Sequence, residues 1–145
     1  MTQAQQLATS IEPGTPLVKA IPPRLVHPYL SGRRSVIAGY LYRAQDCPFS
    51  SPRDYCTALG LSYDGSDFTP DMPELCLLRW LALDMSASLV PPPAGPAAPP
   101  VSVPEFFTLP VPVPVGAAMH RLSYEGDEVI ARYDGQGWLR PRRGR

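Results

Sequence analysis

The chain is poor in lysine. Of its 13 basic residues only Lys19 is one, and the arginine bias reads first as the imprint of a GC-rich bacterial genome, ahead of selection for bidentate guanidinium chemistry. It also lacks the short motifs that announce chemistry: there is no P-loop, no GxGxxG, no GxSxG, no HExxH and no CxxC. Phosphate-cradling, dinucleotide-binding, nucleophile-elbow and zinc-peptidase readings therefore have nothing local to rest on, and neither a metal nor a cofactor is expected. Net charge is absent too, at +0, which removes the field that would draw the whole molecule to nucleic acid or an anionic membrane. Long apolar runs are missing. The block from Leu75 to Leu83 is well short of the roughly 20 residues that span a bilayer, and Arg79 interrupts it. The 3 cysteines (Cys47, Cys56 and Cys76) form an odd set, and no secretory leader is legible, so reduced thiols and a cytoplasmic location are expected.

Proline is what the chain has in excess. Twenty prolines in 145 residues far exceed the usual share of about 5%, and each removes a backbone donor, which argues against long regular helices. At 44% hydrophobic and 18% charged the chain can still bury a core of ordinary size. The fold class expected is α+β: a small mixed or antiparallel sheet, one or two short helices, a proline-rich excursion and a C-terminal three-stranded meander. Residues 1–10 read as a tail, 11–140 as one domain interrupted by the low-complexity segment 90–103, and 141–145 as a basic tail.

The run Ser35–Arg43 is the longest β-favouring stretch free of proline and predicts a central strand. Before it, the proline-flanked Leu17–Ile21 predicts an edge strand at most. Arg24–Leu30 is left without regular structure, and Arg33 and Arg34 read as solvated turn residues. After it, Ser51 as N-cap, Pro52 at the first helical position and Gly60 as the stop predict a two-turn helix that buries Tyr55, Cys56 and Leu59. Glu74–Leu83 fits a helix or a strand by periodicity, and Pro73 tips Leu75–Trp80 toward a strand. Pro110–Val115 alternates proline and valine as an edge segment would. Met119–Tyr124, Glu128–Tyr133 and Trp138–Arg140, joined by turns at Glu125-Gly126-Asp127 and Asp134–Gly137, predict the meander. His120, Leu122 and Tyr124 should share one face, and Val129, Ala131 and Tyr133 another.

Candidate chemistry is sparse. Asp64, Asp67, Asp71 and Glu74 are clustered but miss the EF-hand spacing, so capping and turn roles are expected. His27 and His120 are the only imidazoles. If the protein is enzymatic, the residues to carry it are Arg43, Asp46, Glu125 and Glu128, a guanidinium for a pyrophosphate and carboxylates for a developing cation. Tyr42 and Arg43 would then hold NAD. The run Pro13–Pro23 resembles a segment of NAD-cleaving toxin domains of the tuberculosis-necrotizing-toxin type over eleven residues of 145, with Lys19 where those domains favour arginine. The glutamine-rich catalytic loop of that family has no counterpart here, and the run is not taken as membership.

Two function classes follow. The first is a non-catalytic interaction or accessory protein, immunity-like in kind, with another protein as partner and no nucleic acid or membrane. The alternative is an NAD-directed ADP-ribosyltransferase or NAD glycohydrolase-type toxin domain.

Overall fold

The computed structural model describes residues 11–63, 65–93 and 103–141. Its architecture is mostly β: one curled antiparallel sheet of eight strands, with two helices. In chain order the elements are β1 (Pro16–Ile21), α1 (Pro23–Leu30), β2 (Val36–Arg43), a 3-10 turn (Ala44–Asp46), α2 (Pro52–Ala58), β3 (Glu74–Leu81), β4 (Leu89–Val90), β5 (Phe106–Pro112), β6 (Ala118–Ser123), β7 (Gly126–Tyr133) and β8 (Trp138–Leu139). The strands lie in the order β4-β5-β2-β1-β3-β6-β7-β8.

The apolar residues of β3 explain the layering. Leu75 and Leu77 point to one side, where Val18, Ala20, Tyr42 and Leu122 meet Tyr55, Cys56 and Leu59 of the α2 segment. Leu78 and Trp80 point to the other, where Leu17, Ile21, Ile37, Leu41, Phe106 and Met119 enclose Tyr29 of α1. A strand covered on both faces has apolar side chains at consecutive positions, and that is why helical and strand periodicity could not be told apart here.

β1 is a correction. It was expected at an edge, yet it pairs with β2 on one side and β3 on the other. The prolines that flank it leave Leu17–Ile21 with every ladder donor in place, so nothing prevents pairing on both sides. α1 was not foreseen at all. Pro28 lies inside it, but Pro23 starts it, and Leu25, Val26, Tyr29 and Leu30 recur at a spacing that puts them on one face of a helix. Pro28 removes one of the few i→i−4 bonds of a helix of 8 residues, and the helix is held by the burial of its apolar face. α2 forms as expected, with the backbone N–H of Asp54 donating to Ser51 Oγ at 3.2 Å.

Arg34 is a second correction. Arg33 is exposed, but the Arg34 guanidinium lies 5.5 Å over the Tyr29 ring and is half-buried. Within the interior strand β2, Gly39 has φ +93° at a break in register with β5; only glycine takes that bulge conformation freely.

The meander β6–β7–β8 is present, with a tighter first turn than expected. Ser123 pairs with Gly126, so Gly126 and Asp127 belong to β7, and the Glu125 N–H donates to Ser123 Oγ at 3.2 Å inside the turn. A register shift between Met119 and His120 also separates two residues expected on one face. Val129 stands opposite His120, whereas Ala131 stands opposite Met119. One inserted residue inverts the alternation beyond it.

At the other margin β5 pairs with β2 along its length but with β4 only at Phe107 and Thr108, leaving its proline end open, as a missing donor requires. Val90 lies in β4 and Val103 packs against the α2-side core. The expected tail 1–10, most of the low-complexity segment (94–102) and 142–145 lie outside the described residues.

Candidate functional site

On the α2 side of the sheet the apolar row Leu75, Leu77 continues, two residues on, as Arg79. The row Leu122 continues as His120, and Asp127 stands opposite Leu122. The cover that α2 gives to the leucines ends here, and its Tyr55 reaches the first polar group beyond it. Arg79 Nη1 donates to Asp127 Oδ2 at 2.6 Å, and Arg79 Nη2 donates to Tyr55 Oη at 3.2 Å. Tyr55 Oη donates onward to the Cys47 carbonyl at 3.4 Å. His120 Nδ1 lies 2.9 Å from Asp127 Oδ1 and 3.1 Å from Arg79 Nη1. An ionised carboxylate only accepts, so Nδ1 carries the proton donated to Asp127, and Nε2 is the imidazole's remaining polar atom.

The electrostatics follow from this arrangement. Burial would raise the Asp127 carboxyl, but hydrogen bonds from Arg79 and His120, together with their charge, hold it below the usual carboxylate range. Burial likewise opposes the charge on Arg79, and the bonds to Asp127 and Tyr55 outweigh it, so the guanidinium is held more firmly protonated. The Tyr55 hydroxyl is pushed up by burial against the opposing pull of Arg79.

Beside the cluster, where β1, β3 and β6 approach the 3-10 turn, a groove of about 310 Å³ opens. Arg79, His120 and Arg132 line it among Pro16, Leu17, Ala44, Trp80, Leu81, Gly116 and Ala118, and no carboxylate is in its lining. Arg132 is exposed and enters no ion pair among the described residues. The rest of the walls are apolar, and of the three basic side chains Arg79 and His120 share Asp127 as their partner.

The residues singled out from sequence fall into two separate places. Arg43 Nε donates to Asp46 Oδ2 at 2.7 Å, with its guanidinium 5.8 Å over the Phe106 ring. Tyr42 is buried and donates to Glu105 Oε2 at 2.9 Å; burial first, and then the Glu105 charge, push its hydroxyl far up. Glu125 and Glu128 stand at the β6–β7 hairpin, where Arg121 bonds Glu128 and lies 3.8 Å from Glu74. β2 and β7 are four strands apart in the sheet order, roughly 20 Å along it. The structure does not bring Arg43 and Asp46 together with Glu125 and Glu128.

Of the acidic cluster, Asp67 takes up Arg24 at 2.9 Å, and Asp64 lies outside the described residues. Among the described residues no three His, Cys, Asp or Glu side chains converge as metal ligands would. His27 is exposed on α1, whereas His120 belongs to the cluster. Burial pushes all three thiols up, that of Cys47 to about 11, so none is poised as a thiolate.

Arg79 and Asp127 were missed from sequence, the first passed over as an interruption in an apolar block and the second as a turn residue. The signal was there for Arg79: a guanidinium within a strand apolar on both faces must find a partner. No protein-family model, no curated protein and no solved structure matches the chain.

Proposed function

We propose that the protein is a non-catalytic interaction protein, accessory or immunity-like in kind and working in the cytoplasm, whose groove receives an acidic group of a protein partner. The observation that carries this reading is Arg132, which lines the groove exposed and without an ion pair among the described residues, beside Arg79 and His120, whose shared partner Asp127 is not in the lining. Arg79 is preorganised by Asp127 and Tyr55, so its order is in place before any ligand arrives, which lowers the entropic cost of binding. Leu81, 63% exposed in the lining, and Leu83, 66% exposed two residues further on, add apolar surface that a carboxylate flanked by an aliphatic side chain would cover.

Chemistry of the site supports binding over catalysis. Asp127 is engaged by Arg79 and by His120 Nδ1, and no thiol is activated. The NAD-directed alternative leans on Arg43, whose guanidinium is already held by Asp46 and stacked on Phe106. No helix among the described residues is long and apolar enough to cross a membrane.

The test titrates the protein with short peptides that alternate glutamate and leucine, following the fluorescence of Trp80 at the groove. Saturable binding should weaken at least about tenfold in Arg132→Glu, the equivalent of about 1.4 kcal/mol, and a neutral peptide of the same shape should not bind. Peptide binding indifferent to Arg132→Glu refutes the groove assignment. Nicotinamide released from NAD above background, and abolished by Arg43→Ala in a folded variant, refutes the non-catalytic reading.

A further inference from the structure

Two further cations lie on the α1 side of the sheet, near enough for the charge of Arg34 to act on the Lys19 amine. Lys19 alternates along β1 with the buried Leu17 and Ile21 and donates from Nζ to the Tyr40 carbonyl at 2.9 Å. Arg34 enters from the turn between α1 and β2, its backbone N–H tied to the Pro28 carbonyl at 2.9 Å and its guanidinium over Tyr29. Tyr29 is itself pinned, its hydroxyl donating to the Val36 carbonyl at 2.7 Å, so the guanidinium rests on a fixed surface.

Three features of this pair are unresolved by the fold itself. Arg34 Nε is buried and has no hydrogen-bond partner, and an orphaned buried donor asks for an acceptor. Neither Lys19 nor Arg34 enters an ion pair among the described residues. The two charges act on each other: burial first, and then the charge of Arg34, push the Lys19 amine down to about 8. The bulge in β2 brings Gly39 beside the amine, where an added Cβ would stand 3.5 Å from Nζ, in ordinary contact.

We propose that Lys19 and Arg34 form a binding site for a phosphate-type oxyanion, bridging the amine and the guanidinium, carried free or on a small phosphomonoester. A dianion neutralises both cations at once. The guanidinium supplies Nε as a directed donor, and the amine supplies a compact point charge. A single carboxylate would leave one of the two charges uncompensated. The site shares no residue with the acidic-group groove, whose lining contains neither Lys19 nor Arg34.

Lys19 is the only lysine of the chain, so an amine-acylating reagent followed by peptide mass analysis reads its amine alone once the N-terminal peptide is set aside. In the intact protein, inorganic phosphate at fixed ionic strength should slow Lys19 acylation saturably. The slowing should be about tenfold for each unit by which the bound anion raises the amine. Chloride at the same ionic strength should have no such effect. The protection should disappear in Arg34→Met and persist in Arg33→Gln. Protection by inorganic phosphate equal to that by glycerol phosphate assigns the free ion, and stronger protection by glycerol phosphate assigns an esterified one. Absence of saturable protection in the wild-type protein overturns the proposal without recourse to any variant. Equal protection in a folded Arg34→Met protein overturns it as well.

Discussion

Asp127→Asn is the most informative single substitution, because it removes the charge on which Arg79 and His120 both rest while keeping the side chain's shape. The Arg79 and Asp127 side chains are 28% and 34% exposed, neither in water nor out of it. Orphaning one partner of a fully buried pair costs about 3–5 kcal/mol, whereas a fully exposed pair contributes about 0–1 kcal/mol. Screening at one-third exposure sets the expectation between them, at about 2 kcal/mol. For a chain of this length that corresponds to roughly 6–8 °C in thermal midpoint. Most of the loss is the cost of a guanidinium left uncompensated, so removing Arg79 as well should recover part of it. A cycle of Asp127→Asn, Arg79→Met and the double variant, measured by urea unfolding, should give a coupling of about 1–2 kcal/mol. Strict additivity would show that the two side chains do not act as a pair and would remove the basis for a preorganised Arg79.

The same cycle has a pH arm with a definite sign. Asp127 is held below the ordinary carboxylate value of 3.8, so the native state binds fewer protons there than the unfolded chain. Its contribution is complete above that value and is lost as pH falls through the lowered native one. The stability gap between wild type and Asp127→Asn should therefore be constant near neutrality and close below about pH 4. A gap unchanged at lower pH would contradict the depressed carboxyl.

Lys19→Met should stabilise the protein at pH 7 by about 1–3 kcal/mol, since a cation whose native value is lowered to about 8 weakens the fold below that pH. Between pH 8 and 10 wild-type stability should gain on the variant; a constant difference would place the amine in solvent. Ser51→Ala should cost about 1 kcal/mol by freeing the Asp54 N–H at the start of α2, and unchanged urea unfolding would show that the cap contributes nothing. Cys56 is 2% exposed, so it should resist alkylation in the native protein, and rapid labelling would remove it from the core. A fragment of residues 11–89 loses β6 from the flank of β3 and β5 from the flank of β2, and with them Phe106 and Met119 of the core. It should show no cooperative melt, and dispersed amide signals with a sharp transition would establish an autonomous first lobe.

How much of this was legible in the residues divides along local and non-local lines. The α2 helix was, because its cap, its initial proline and its stop lie within ten residues. The meander was, because a two-residue turn places its strands side by side. The strand character of β3 was, though only as a preference, since a run buried on both faces has no period of its own. What failed in β1 and α1 failed through proline. Proline interrupts a ladder only at its own position, and Leu17–Ile21 keeps every donor between its flanking prolines. At Pro28 the lost donor counts for less than the amphipathic spacing of Leu25, Val26, Tyr29 and Leu30, which buries one face of α1.

The candidate site lay beyond such reading for a geometric reason. Arg79, His120 and Asp127 come from three strands, and they meet only because β3 pairs with β6 in a register that sets Leu77 against His120, and β6 pairs with β7 so that Leu122 faces Asp127. A slip of one residue in either ladder would send Arg79 or His120 to the opposite face. That register is set in turn by leucines. Leu75, Leu77 and Leu122 must all lie under α2 to be buried, and once they do, the residues two steps along their strands have no choice but to share the uncovered end of that face. The polar cluster is thus positioned by the packing of its apolar neighbours. Arg132 joins it from the far side of the same rows, opposite Ala118, where a larger side chain would fill the groove. A substitution that shifts the leucine register should consequently abolish the proposed binding of acidic peptides as completely as removing an arginine, although it touches no charge.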